Sequence, residues 1–285
     1  VSSRPMMIVY YDATATKLNT LTENSQDIVR KIDGGLTLTT YVNLLDDTWY
    51  NGSPSAKNFD MDRFERYVRF KPDMKIDYVY YYGPGTNAHY DKVYKDLSPK
   101  ERMLKVCEGC DYDPDMFISA EEVQKMEDIS AENGRIVRVF KRDNGQKAYL
   151  RIYNDMYVHP FESEITAALK TLVAKSPLIA FVTGHGERAC DDYGDRGYAA
   201  FAKTTFRNAL INQGFQVRDL TLTQPVPADV DVLVISDMKT SLTLEEFANY
   251  SSFVDKGGNL IVLGEVKRQE HMNPVVEKLG LRFVD

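Results

Sequence analysis

The sequence is poor in cysteine, with three among 285 residues, and it holds four histidines and one tryptophan. Three cysteines leave one unpaired within the chain, so a disulfide framework does not replace a hydrophobic core and the redox compartment is not fixed by them. No stretch approaches the roughly 18 consecutive apolar residues that cross a bilayer as a helix; residues 6–11 are apolar but far too short. The first four residues lack the pattern of a signal peptide. Basic residues are outnumbered, 35 Lys and Arg against 42 Asp and Glu, which gives a net charge of −7 with no Lys/Arg-rich block. That balance argues against nucleic acid or anionic lipid as a partner, because both demand a basic surface. Also missing are G-x-S-x-G, H-E-x-x-H and G-x-x-x-x-G-K-[ST], the parts of an elbow hydrolase, a zinc protease and a P-loop nucleotidase.

What is present is the composition of a soluble globular protein, 43% hydrophobic and 27% charged, in a chain long enough for two domains with separate cores. The first domain is expected over residues 1–160. Residues 6–12 read as a short strand. Thr20 and Glu23 have the spacing of a capping box that opens a helix over 23–31, and Gly34 and Gly35 end it. Strands are expected at 36–42 and 75–82, with a helix between them at 59–70 whose apolar face is Phe59, Met61, Phe64, Tyr67 and Val68. Residues 46–60 read as a turn-rich loop. Ser98 and Pro99 open a helix over 98–106, residues 107–115 read as irregular, and 121–128 as a short helix. Asp143, Asn144 and Gly145 between apolar runs predict a hairpin over 135–153, since Asn and Gly tolerate the positive φ such turns require. This order suits an N-terminal α/β domain with a thioredoxin-like layout.

The second domain, expected over 161–285, opens with an amphipathic helix at 161–174. From residue 178 the pattern alternates as a doubly wound, mostly parallel α/β sheet of flavodoxin-like type does: strand 178–183, helix 198–213, strands 215–220 and 231–236, helix 243–256, strand 259–263, helix 274–279 and a last strand 281–284. The apolar run 178–182 followed by Thr183, Gly184, His185, Gly186 and Glu187 puts a glycine-bracketed, acidic loop at the carboxyl end of a strand. Ligands of open α/β sheets bind at such ends, so the candidate binding residues are Gly184, His185, Gly186, Glu187, Asp191, Asp192 and Glu265.

Each chemical reading of these residues has a plainer rival. Gly184, Gly186 and Ala189 satisfy a dinucleotide fingerprint, but the acidic neighbours repel a pyrophosphate, and a tight glycine turn accounts for them equally. His185, Glu187, Cys190, Asp191, Asp192 and Asp195 offer mixed metal donors that select no one ion, against a solvated loop in which His185 holds the turn. Cys107 and Cys110 form a C-x-x-C among acidic residues, which reads as a structural disulfide or two incidental thiols rather than a redox pair. His89, His159 and His271 stand alone in sequence. Tyr78, Tyr80, Tyr81 and Tyr82 belong to a strand and could line a binding surface.

Several pieces together resemble one family. Asp12, Thr14, Lys17 and residues 19–25 are similar to the start of the extracytoplasmic region in auxiliary components of gliding-motility-type ABC transporters, the GldG-like family. Residues 164–167, the run Phe181, Val182, Thr183, Gly184, His185, Gly186, Glu187, and the stretches 227–235, 244–247 and 257–263 resemble its later half. The resemblance implies a non-enzymatic binding or scaffolding domain on the periplasmic side of the inner membrane. It implies permease and ATPase subunits of an ABC-2-type exporter as partners, with membrane attachment through segments outside these 285 residues, and no cofactor and no metal. The same half resembles the class I glutamine-amidotransferase-like fold, in which a cysteine elbow follows the strand that here runs into Gly264, Glu265 and Val266. The alternative is a hydrolase or metal-dependent enzyme with its site in the loop 184–195.

Overall fold

A computed structural model describes residues 11–17, 19–191 and 198–284, and the chain divides into two compact units, 1–174 and 175–285. The strand expected at 6–12 lies largely outside the described residues.

In the first unit, helix α1 (Glu23–Arg30) leads into strand β1 (Leu36–Asn43), α2 (Lys57–Val68) and β2 (Lys75–Tyr82). Then follow α3 (Ala88–Val93), α4 (Pro99–Cys110), β3 (Phe117–Ser119), α5 (Ala120–Met126), the hairpin β4 (Val137–Arg142) and β5 (Lys147–Arg151), and α6 (Glu162–Lys170). The five strands lie in the order β3-β2-β1-β4-β5. The first three are parallel, whereas β4 and β5 run antiparallel. Alternation along β1 sorts the core: Leu36 and Leu38 face Phe64 and Tyr67 of α2 and Ile165 and Leu169 of α6, while Tyr41 faces Val123 and Val139 on the other side.

Several local details differ from expectation. Helix α1 is capped by Thr22, and the carboxylate that reaches back to the cap N–H is Glu162 Oε1 at 2.7 Å, not Glu23. A capping box between distant helices has no local spacing to betray it. On α2 the inward residues are Asp60, Phe64 and Tyr67, and Phe59 is 76% exposed, because burying the Asp60 carboxylate turns the helix away from a purely apolar stripe. Helix α4 runs through to Cys110, and both cysteines of the C-x-x-C are free thiols in its last turns. Burial comes first in pushing the Cys107 thiol up, followed by its neighbour Cys110. The expected boundary at 160/161 falls in front of α6, whereas the units part between Ala174 and Lys175. Helix α6 supplies Ile165, Ala168 and Leu169 to the core beneath β1, which ties it to the first unit.

The second unit contains β6 (Leu178–Val182), the short α7 (Ala199–Ala202), β7 (Gln216–Leu220), β8 (Val232–Ser236), α8 (Leu244–Asp255), β9 (Asn259–Leu263) and α9 (Gln269–Glu277). All four strands are parallel in the order β7-β6-β8-β9. Strand β6 is buried along its whole length, as its unbroken apolar run requires. Leu178, Ala180 and Val182 meet Tyr250 of α8 and Met272 and Val275 of α9, while Ile179 and Phe181 meet Tyr198 and Phe201. The sheet is therefore covered on both faces.

The helix expected at 198–213 shrinks to Ala199–Ala202. Beyond it the Asn212 side-chain amide donates to the carbonyls of Thr204 and Phe206, both at 2.9 Å, and Gln213 donates to Arg207 O at 3.0 Å. These side chains take carbonyls that a helix would have paired. Helix α9 begins at Gln269 and carries Pro274 in its interior rather than at its start. The strand expected at 281–284 is absent; Asn273 instead accepts from Phe283 N–H at 2.8 Å and donates to its carbonyl at 3.3 Å, which satisfies the groups a strand partner would bind. Among the described residues no helix is long and apolar enough to cross a membrane.

Candidate functional site

The winding of the second sheet reverses at β6, since its successors in sequence lie on opposite sides of it, β7 on one and β8 on the other. Such a switch point leaves the loops after β6 and β8 splayed at the carboxyl edge, where open α/β proteins place ligands. The candidate loop occupies this position.

Gly184 and Gly186 both have positive φ, 120° and 82°. At Gly186 the requirement is also steric: a Cβ there would stand 3.0 Å from the Lys239 side chain, so the two loops pass closely only with glycine. Between them His185 turns inward and is 6% exposed. Its backbone N–H donates to Glu187 Oε2 at 2.5 Å, and its carbonyl accepts from Lys239 N–H at 2.7 Å and Thr240 N–H at 3.2 Å. The ring stands between two carboxylates, Nδ1 at 3.2 Å from Glu187 Oε1 and Nε2 at 3.2 Å from Glu246 Oε2. The Glu187 side chain is fully buried.

Glu246 comes from the first turn of α8, where it completes a capping box with Thr243: its Oε2 accepts from Thr243 Oγ1 at 2.7 Å and Thr243 N–H at 2.9 Å. The Thr243 hydroxyl, then its N–H, hold the Glu246 carboxyl below the usual glutamate range; burial opposes this and His185 adds to it. A lowered folded-state value means stability that is whole above the ordinary glutamate value of 4.5 and is lost as pH falls through the folded one. Unfolding titrations from pH 6 to pH 3 are therefore expected to show a steeper acid loss for the native chain than for Glu246→Gln; superimposable pH slopes would contradict the clasp.

The other strand ends are laced to the same loop without reaching His185. Asp219, on β7, accepts the Cys190 N–H at 2.8 Å. Burial, followed by Asp219 and Asp191, pushes the Cys190 thiol up to about 11, so it is not a thiolate nucleophile at neutral pH. Arg188 lies 3.8 Å from Glu265 after β9, and Arg268 pairs with Asp237 after β8 at 3.1 Å. Of the residues singled out in the sequence, Gly184, His185, Gly186 and Glu187 form one closed turn. Glu265 joins it only through Arg188, Asp191 is exposed, and Asp192 and Asp195 lie outside the described residues.

The dinucleotide reading fails on geometry, because α7 begins only at Ala199 and the Cys190 N–H already has a carboxylate. Among the described residues no group of three or more His, Cys, Asp or Glu is placed to hold a metal ion. The residue that sequence reasoning missed is Glu246, although Thr243 three positions ahead of it spelled out the capping box. Arg188 and Arg268 carried no motif.

No curated protein and no solved structure matches the chain. Residues 176–281, nearly the whole of the second unit, are similar to the family model described as ABC-type uncharacterized transport system.

Proposed function

We propose that the chain is a non-enzymatic binding or scaffolding component of an ABC-type export system, and that it meets its partner through the loop 184–191. The observation that carries this reading is that, among the described residues, the groups gathered at these strand ends other than Asp191 have internal partners. His185 is clasped between Glu187 and Glu246, Asp219 holds the Cys190 N–H, and Asp237 and Glu265 face arginines. What the loop leaves exposed is Gly184, Gly186 and the Asp191 carboxylate, an acidic turn suited to a basic or amide-rich protein surface.

In this reading Gly184, His185, Gly186, Glu187, Asp191, Asp192 and Glu265 form or support the docking surface. The partners are permease and ATPase subunits of a gliding-motility-type exporter, with attachment to the periplasmic side of the inner membrane through segments outside these residues. The fold is put to use as flavodoxin-like and amidotransferase-like sheets without a cysteine elbow. Charge reversal at exposed Asp191 tests it: Asp191→Lys is expected to weaken association with the membrane complex while leaving the fold intact.

A further inference from the structure

The first unit carries a cavity of about 490 Å³ at the carboxyl ends of its parallel strands, lined by Tyr81, Thr86, Val123, Ile129 and Asn133 among others. Its size is that of a small-molecule site. The walls are preformed. Asn43, fully buried at the end of β1, donates to Pro84 O at 2.9 Å and accepts from Gly83 N–H at 3.2 Å and Leu45 N–H at 3.1 Å. Asp46, equally buried, accepts from the Thr86 hydroxyl at 3.0 Å, so the loops that follow β1 and β2 are pinned to each other. Gly134, with φ +76°, lets the turn ahead of β4 pass Pro84, whose carbonyl oxygen would lie 2.5 Å from any Cβ placed there.

The lining contains no charged side chain, in a chain of net charge −7. Its apolar part comes from Ala120, Val123 and Ile129. Thr86 and Ser130 already donate their hydroxyls to Asp46 and Asp128. Tyr81 differs: it lines the cavity, and no side-chain hydrogen bond to a described residue engages its hydroxyl. Burial first, and Asp46 second, push this phenol far up, so it stays protonated and offers an O–H. A hydroxyl on a cavity wall with no protein acceptor can donate to a ligand atom with a lone pair. The neighbouring Asp46 carboxylate opposes an anion.

We propose that this cavity is a binding site for an uncharged small molecule, with a ring-sized apolar body against Val123 and Ile129 and a carbonyl, ether or hydroxyl oxygen that accepts from Tyr81. The test uses three probes of one shape: benzamide, which is neutral, benzoate and benzamidine, each titrated into the full chain and followed by amide chemical shifts. Benzamide is expected to shift residues around 81, 123 and 129 and to bind at least tenfold more tightly than either charged probe. Tyr81→Phe keeps the ring and removes the donor, and is expected to weaken benzamide about fivefold, the worth of one hydrogen bond, while leaving toluene unchanged. Val123→Trp fills the cavity and abolishes both. Equal binding of the charged probes, or benzamide binding unchanged in Tyr81→Phe, would overturn the assignment.

Discussion

Asp60→Ala is expected to destabilise the first unit by about 3–5 kcal/mol, the cost of leaving a buried charge without its counter-ion. Arg138 is fully buried and Asp60 is 1% exposed. Arg138 donates to Asp60 Oδ1 at 2.5 Å and, through Nε, to Oδ2 at 3.3 Å, while Tyr78 donates to Oδ2 at 2.9 Å. Burial by itself would raise the Asp60 carboxyl, but the Arg138 charge and hydrogen bonds, with Tyr78, outweigh it and hold the group below the usual aspartate range. The guanidinium also stands 5.8 Å from the Phe64 ring centre, so removal of the carboxylate strands a cation in the core between α2 and β4. Hydrogen exchange at the β1 amides reads this loss locally. The pair costs desolvation on both sides, so Asp60→Leu combined with Arg138→Met is expected to recover most of the stability. A loss below about 1 kcal/mol in Asp60→Ala would mean that the pair is not formed.

His185→Ala is the second large effect, an expected loss of about 2–3 kcal/mol in the second unit. Two carboxylates, Glu187 and Glu246, lose the ring that separates them, and both are shielded from water. The consequence differs from that of Asp60→Ala because the clasp also shapes a surface. With the ring gone the loop keeps its backbone bonds to Lys239 and Thr240 but not the anchor to α8, so exchange at the 184–188 amides is expected to rise ahead of that at β6. A catalytic histidine would give the opposite pattern, lost turnover with stability kept or gained. Unchanged protection of the 184–188 amides would contradict the clasp.

Much of the fold was legible because it rests on local patterns. The β6 run, the helix start at Ser98 and Pro99, the hairpin at Asp143, Asn144 and Gly145, and the strand Lys75–Tyr82 each follow from periodicity or turn chemistry within a few residues. What escaped depends on partners far away in sequence. Glu162 caps α1 across 140 residues, Asp60 is buried because Arg138 is opposite it, and Asn273 replaces a strand partner for Phe283. At the candidate site the glycine-bracketed turn was visible, and so was its place at a strand's carboxyl end. Its meaning was not, since the second carboxylate on His185 arrives from α8, 61 residues later. The cavity beside Tyr81 was hidden for a related reason: the buried Asn43 that holds Gly83 and Pro84 has no motif.

The most direct measurement is the affinity of the native chain and of Asp191→Lys for the detergent-solubilised membrane components of the transporter, made beside unfolding curves of both. Asp191 is exposed, so its replacement is expected to shift stability by no more than about 0.5 kcal/mol. The expected result is an association at least tenfold weaker for Asp191→Lys, with unfolding curves that superimpose. Equal affinities of the two proteins would contradict docking through the loop 184–191.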